Sequence, residues 1–148
     1  MHHFEYSIVT QASPELAWKL YTDWRKWPNF ANVYGGLKWS QGRPWEVGSC
    51  LDIELVRPIN AVIDHLIIVC EEPREIAWID RALGVTICQR VEFQPLPSGK
   101  TRVRTWGDVS PDDILIDGKP VSRLVDVFME TWYENFRSAC DESAQALS

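Results

Sequence analysis

From Val121 onward the chain repeats apolar residues three and four positions apart: Val121, Leu124, Val125, Phe128, Trp132, Phe136 and Ala139. This spacing draws one continuous apolar stripe along a helix, and Pro120 fits its first turn. With all of residues 121–146 helical, the element is about 40 Å long. So long and one-sided a helix requires a broad apolar surface to lie on, and the rest of the chain must supply it.

Between residues 37 and 110 the hydrophobic period changes to two, the period of strands. "GGLKWSQ" reads as a strand and "GRPWEVG" as a turn. "SCLDIELVR" sets Leu51, Ile53 and Leu55 on one face, and Pro58 closes it. "AVIDHLIIVCE" follows, then a turn at Glu72-Pro73-Arg74, then "EIAWIDRA". After a turn near Gly84, "VTICQRVEFQ" places Val85, Ile87, Val91 and Phe93 on one face and Thr86, Cys88, Arg90 and Glu92 on the other. "PLPSG" is a hairpin signal, and "KTRVRTWGDV" pairs back with Val103 and Thr105 opposite Arg102 and Arg104. Short strands with tight connections predict an antiparallel sheet. Residues 110–120, "SPDDILIDGKP", read as a loop.

Upstream, "HFEYSIVTQ" (residues 3–11) alternates as a first strand, and "ASPELAWKLYTDW" then takes a helical period. Ser13 suits the N-cap, Pro14 the first helical position and Glu15 the positive end of the helix dipole. Leu16, Ala17, Leu20 and Trp24 recur at helical spacing. Pro28 blocks continuation, so this helix ends near Asp23 and a short second helix and a loop follow. The expected architecture is α+β, one domain over residues 1–148. A curved antiparallel sheet of about seven strands wraps around a long C-terminal helix, with two short helices after strand 1. A cylinder fits a saddle-shaped sheet poorly. The gap between them becomes either a plug of aromatic rings or a cavity.

Composition bounds the function. The net charge of −6, with no run of Lys or Arg, argues against nucleic acid and anionic membrane surfaces. Leu66–Cys70 is the longest apolar stretch and is far too short to span a bilayer. No signal peptide is visible, and Cys50, Cys70, Cys88 and Cys140 form no C-x-x-C pair, so they read as buried free thiols in a reducing compartment. A cytoplasmic protein, monomeric or homodimeric, is expected. Eight Trp in 148 residues is unusual. Each is a large apolar body whose N–H wants a partner, and a chain this small struggles to hide all of them in a solid core.

Three stretches carry a family resemblance. "SIVTQASPELAWKLYTDWRKWPNF" runs from a strand into A-x-P-E-x-x-W, then D-W, then W-P. "EEPREIAW" gives a P-x-x-I-x-W turn and strand, and "VEFQPLPSGKTRVRTWGDV" an F-x-x-x-x-x-G-x-T-x-V hairpin. Together they make the chain similar to the START/Bet v 1-like (SRPBCC) superfamily of helix-grip proteins, in its polyketide cyclase/dehydrase branch. The resemblance covers nearly the whole chain. It is specific for fold and weak for activity, since this superfold hosts carriers, receptors and cyclases. It implies an elongated cavity under the C-terminal helix, with a mouth framed by the second short helix and inter-strand loops.

On that basis Trp27, Phe30 and Tyr34 are expected at or near the mouth, able to cover an apolar ligand. The alternative is that they staple the small helices to the sheet. His65 shares a strand with Asp64, and a neutral imidazole costs far less to bury than a carboxylate. His65 is therefore placed toward the cavity and Asp64 toward water. There it is the candidate acid/base or ligand contact, against the alternative of a core histidine bonded to a neighbour. Trp78, Gln89 and Trp106 on central strands, and Phe128 and Trp132 on the helix stripe, complete the expected ligand-binding set. Arg57 and Asp108 lie near strand ends, in reach of a polar ligand group or of surface ion pairs. No metal site, phosphate loop or nucleophile signature is visible, and no cofactor is expected. The expected partner is a small hydrophobic, lipid-like or aromatic molecule, bound and carried, or else cyclised or dehydrated, in the same cavity.

Overall fold

In the computed structural model, which describes residues 1–147, seven antiparallel strands form one sheet in the order β1-β7-β6-β5-β4-β3-β2. They are β1 (His2–Thr10), β2 (Tyr34–Gln41), β3 (Cys50–Leu55), β4 (Ala61–Glu71), β5 (Glu75–Ala82), β6 (Val85–Pro95) and β7 (Thr101–Ser110). Strands β2 to β7 pair consecutively, and β1 closes the far edge against β7. Register shifts in β2 and at Ile67/Val69 of β4 bend the sheet, as an extra residue on one strand of a pair does.

Helix α1 (Pro14–Thr22) starts where the capping chemistry puts it: the Ser13 side chain accepts from the Leu16 N–H, with Pro14 at the first position. Its buried face differs from the expected one. Ala17, Trp18 and Tyr21 are buried, whereas Leu16, Leu20 and Trp24 are only partly so. The second short helix is a 3-10 segment, Trp24–Asn29, which accommodates Pro28. Residues 110–120 are more ordered than a plain loop. A two-residue hairpin, β8 (Leu115–Ile116) and β9 (Lys119–Pro120), turns at Asp117-Gly118, both with positive φ. This is the Asp-Gly signature of a tight hairpin.

Helix α2 (Val121–Ala146) lies across the sheet. Its buried stripe runs Val121, Val125, Met129, Trp132, Tyr133, Phe136 and Cys140, so Met129 and Tyr133 join it. Leu124 and Phe128 are only partly buried, because they face a hollow rather than packed side chains. The helix is pinned along β1. Tyr6 donates to Glu134 at 2.5 Å, and Asp141 accepts from the Thr10 hydroxyl at 2.6 Å and from the Gln11 N–H at 2.8 Å. Held to that edge, it cannot also close on the β3–β5 side. Of the cysteines only Cys140 is buried. Cys50 and Cys70 are half-buried, and Cys88 is exposed on the outer face of β6, which corrects the reading of all four as interior thiols.

Candidate functional site

The hollow has two lobes that meet. The outer lobe, about 120 Å³, lies between the β3–β6 side of the sheet and the first turns of α2, with walls such as Ile87, Val125 and Phe128. The exposed residues Pro58 and Leu83, on the β3–β4 and β5–β6 connections, form its rim. The inner lobe, about 80 Å³, is walled by Trp27, Trp78 and Trp132 together with three tyrosines, Tyr21, Tyr34 and Tyr133. Leu55, Ile63, Asp80, Phe128 and Met129 border both lobes. For scale, an engineered apolar cavity of about 150 Å³ holds a benzene ring.

Polarity is graded along this hollow. The outer lobe is hydrocarbon except where Asp80 borders it. The inner lobe carries His65, Asp80, Gln89 and the tyrosine hydroxyls. His65 is 4% exposed, and its neighbour Asp64 points to solvent. Asp80 is half-buried. Its Oδ1 lies 2.6 Å from His65 Nδ1, and its Oδ2 accepts from Trp78 Nε1 at 3.1 Å. The Trp78 ring packs on the imidazole at 4.7 Å between centroids. Strand pairing brings the three together, since His65 of β4 is directly opposite Asp80 of β5, two residues from Trp78. Gln89, buried on β6, donates to Thr105 Oγ1 at 2.8 Å.

The tyrosines are held by aromatic packing and by each other. Tyr21 and Tyr133 share a 2.7 Å hydrogen bond, and Tyr34 OH accepts from Trp132 Nε1 at 2.7 Å. Burial, more than any other influence, raises all three phenols above their ordinary value of 10, Tyr133 to about 12. A phenol whose folded-state pKa is raised stabilises the fold fully below the unfolded value of about 10 and loses that contribution as pH climbs through the folded value. In an alkaline titration read by tyrosinate absorbance and circular dichroism, ionisation of these phenols should therefore appear above pH 10 only together with loss of the fold. Their ionisation in a native-like protein near pH 10 contradicts that assignment.

The expected site residues fall into three groups. Trp27, Tyr34, His65, Trp78, Gln89, Phe128 and Trp132 come together around the hollow. Trp27 and Tyr34 line the inner lobe, to which Pro58 and Leu83 do not contribute. Trp27 also staples the short helices, donating to the Tyr21 carbonyl at 2.8 Å. Phe30 stands behind the wall, with its ring 5.2 Å from Trp132 and 6.0 Å from Phe136. Trp106 lies apart. It shares the outer face of β7 with Arg102 and Arg104, and the Arg104 guanidinium covers its ring at 4.2 Å. Asp108 and Arg57 likewise face outward, bonded to His3 and to the Asn32 carbonyl. Sequence reasoning missed Asp80, Tyr21 and Tyr133. The period-2 pattern of "EIAWIDRA" puts Asp80 on the Trp78 face, and that signal was available.

Among the described residues the one grouping with metal-ligand spacing is Cys50, Asp52 and Asp64, on the outer face of β3 and β4. No helix among them is long and apolar enough to cross a membrane.

Over residues 1–147 the chain matches the family described as polyketide cyclase / dehydrase and lipid transport. No curated protein matches it. Among solved structures it is similar to a START superfamily protein from Mycobacterium smegmatis, with 17% identity, 96% of this chain and 99% of that one covered, and a TM-score of 0.77. It is also similar to a protein from Mesorhizobium loti, with 12% identity, 95% and 98% covered, and a TM-score of 0.75. For Ara h 8.0201 the identity is 14%, the coverage 94% and 97%, and the TM-score 0.70. At these identities the structures establish a shared fold.

Proposed function

The chain belongs to the polyketide cyclase/dehydrase and lipid-transport family, and we propose that within it this protein is a non-covalent binder of a small, mainly apolar, ring-bearing molecule. One observation carries the reading: a two-lobed hollow under α2, apolar at its outer end and polar at its inner end. Such a gradient suits a molecule with a hydrocarbon body and one polar end. Apolar burial supplies the affinity at about 25 cal/mol per Å², less the cost of immobilising the guest. In this reading Trp27, Tyr34, His65, Trp78, Gln89, Phe128 and Trp132 touch the guest, Phe30 backs them, and Trp106 takes no part. The proposal includes a cytoplasmic setting and a monomeric or homodimeric state.

Native mass spectrometry and tryptophan-fluorescence titration against lipids, quinones and polyphenols test it. Saturable micromolar binding is expected, and it is lost in Met129→Trp, which fills the junction of the lobes. Absence of binding across the panel overturns the reading. A second reading, cyclisation or dehydration of a polyketide-like substrate, is favoured by the His65–Asp80 pair, the arrangement a general acid/base requires. His65→Ala then abolishes turnover in a folded protein, and unchanged turnover removes His65 from any mechanism.

A further inference from the structure

Asp80 has both carboxylate oxygens engaged, one by the Trp78 N–H and one by His65 Nδ1. A carboxylate offers only acceptors, so the nitrogen facing it must carry the proton. This fixes the tautomer of the neutral imidazole: Nδ1–H donates to Asp80, and Nε2 keeps a bare lone pair. No hydrogen bond among the described residues engages that Nε2, its surroundings do not seal it, and His65 lines the inner lobe. Tyr34 lines the same lobe. Its oxygen is engaged by Trp132 Nε1, which leaves its own proton to donate, and burial keeps that phenol protonated.

We propose that the inner lobe selects a guest bearing a hydroxyl group, which donates to His65 Nε2, and that Asp80 is the positioning residue that sets this polarity. The inference rests on the reading of the hollow as a ligand site and adds which chemical end the site accepts. A hydroxyl is suited to both wall groups, because it gives its proton to the imidazole and its oxygen accepts from a phenol such as Tyr34. A carboxylate, ether or ketone offers only lone pairs, and these face the Nε2 lone pair with the Asp80 charge behind it. A buried acceptor left unpaired penalises the wrong guest more than a pairing rewards the right one.

The test uses the wild-type protein and three matched probes: 2-naphthol, its methyl ether 2-methoxynaphthalene, and naphthalene. Isothermal titration calorimetry should show 2-naphthol binding roughly tenfold or more tighter than the ether. Asp80→Asn supplies a readout that a purely structural role would not move. The asparagine amide can donate to Nδ1, which shifts the imidazole proton to Nε2. The preference then reverses toward the ether and toward 2-acetylnaphthalene, in a protein whose melting curve shows it folded. Should Asp80→Asn fail to fold, the wild-type probe series decides alone. Equal affinity of 2-naphthol and its ether overturns the hydroxyl selectivity and leaves the cavity reading standing. Binding of none of the three overturns both.

Discussion

Trp132→Ala is expected to cost about 3–5 kcal/mol, the range for removing a buried aromatic from a core, and to lower Tm by about 10 °C or more. The reason is where the ring sits. Trp132 touches Tyr21, Trp27, Phe30, Tyr133 and Phe136, with centroids 5.0–5.9 Å away, so it joins α1, the 3-10 segment and α2 in one cluster. Its removal enlarges a hollow that already exists, and the rigid rings around it cannot collapse into the space. The same change frees Tyr34 from its Trp132 N–H donor. Trp132→Phe separates these effects: it keeps most of the packing and loses the N–H, for a cost near 1 kcal/mol. Differential scanning calorimetry on the pair measures both. A Trp132→Ala protein that melts within a degree or two of wild type would remove the ring from the core.

Gly107→Ala should also be strongly destabilising, though it adds a single methyl. Gly107 lies in β7 opposite Gln89, and a Cβ there would stand 2.1 Å from the Cys88 carbonyl oxygen and 2.9 Å from Phe4 Cζ. The first of these atoms is backbone of the adjacent strand and cannot rotate away. Overpacking costs of about 3 kcal/mol, the upper end of the usual range, are expected, with a matching fall in the urea midpoint and no change in m-value. Gly36→Ala is the control. Gly36 lies on the edge strand β2, and the nearest atom to a Cβ there is Glu54 Oε2 at 3.7 Å, so the change should be within about 0.5 kcal/mol of neutral. Equal stability of the two variants sinks the steric account of Gly107.

Much of the fold was legible in the residues. The bounds of β4, β5 and α2 follow from the local period, and the β6 alternation that put Gln89 among Val85, Val91 and Phe93 is the alternation observed. The α1 face was misjudged because Leu16, Leu20 and Trp24 are as apolar as the residues that point inward, and propensity cannot tell which of two apolar arcs will meet the sheet. Trp106 misled for a related reason. A large ring suggests an interior, yet its parity with Arg102 and Arg104 places it outside, where a guanidinium covers it. Parity was the better guide.

Sequence by itself determined the order of the seven long strands and the helices, the alternation along those strands away from the register shifts, and the length of α2, because periods of two and of about 3.6 are properties of neighbouring residues. Only the tertiary structure decided that α2 is tied to β1 rather than centred, that the gap opens on the β3–β6 side, and that Asp80 meets His65 from 15 positions away. Those outcomes depend on how strands twist past one another and which hydrogen bonds close between distant segments. No local pattern encodes them.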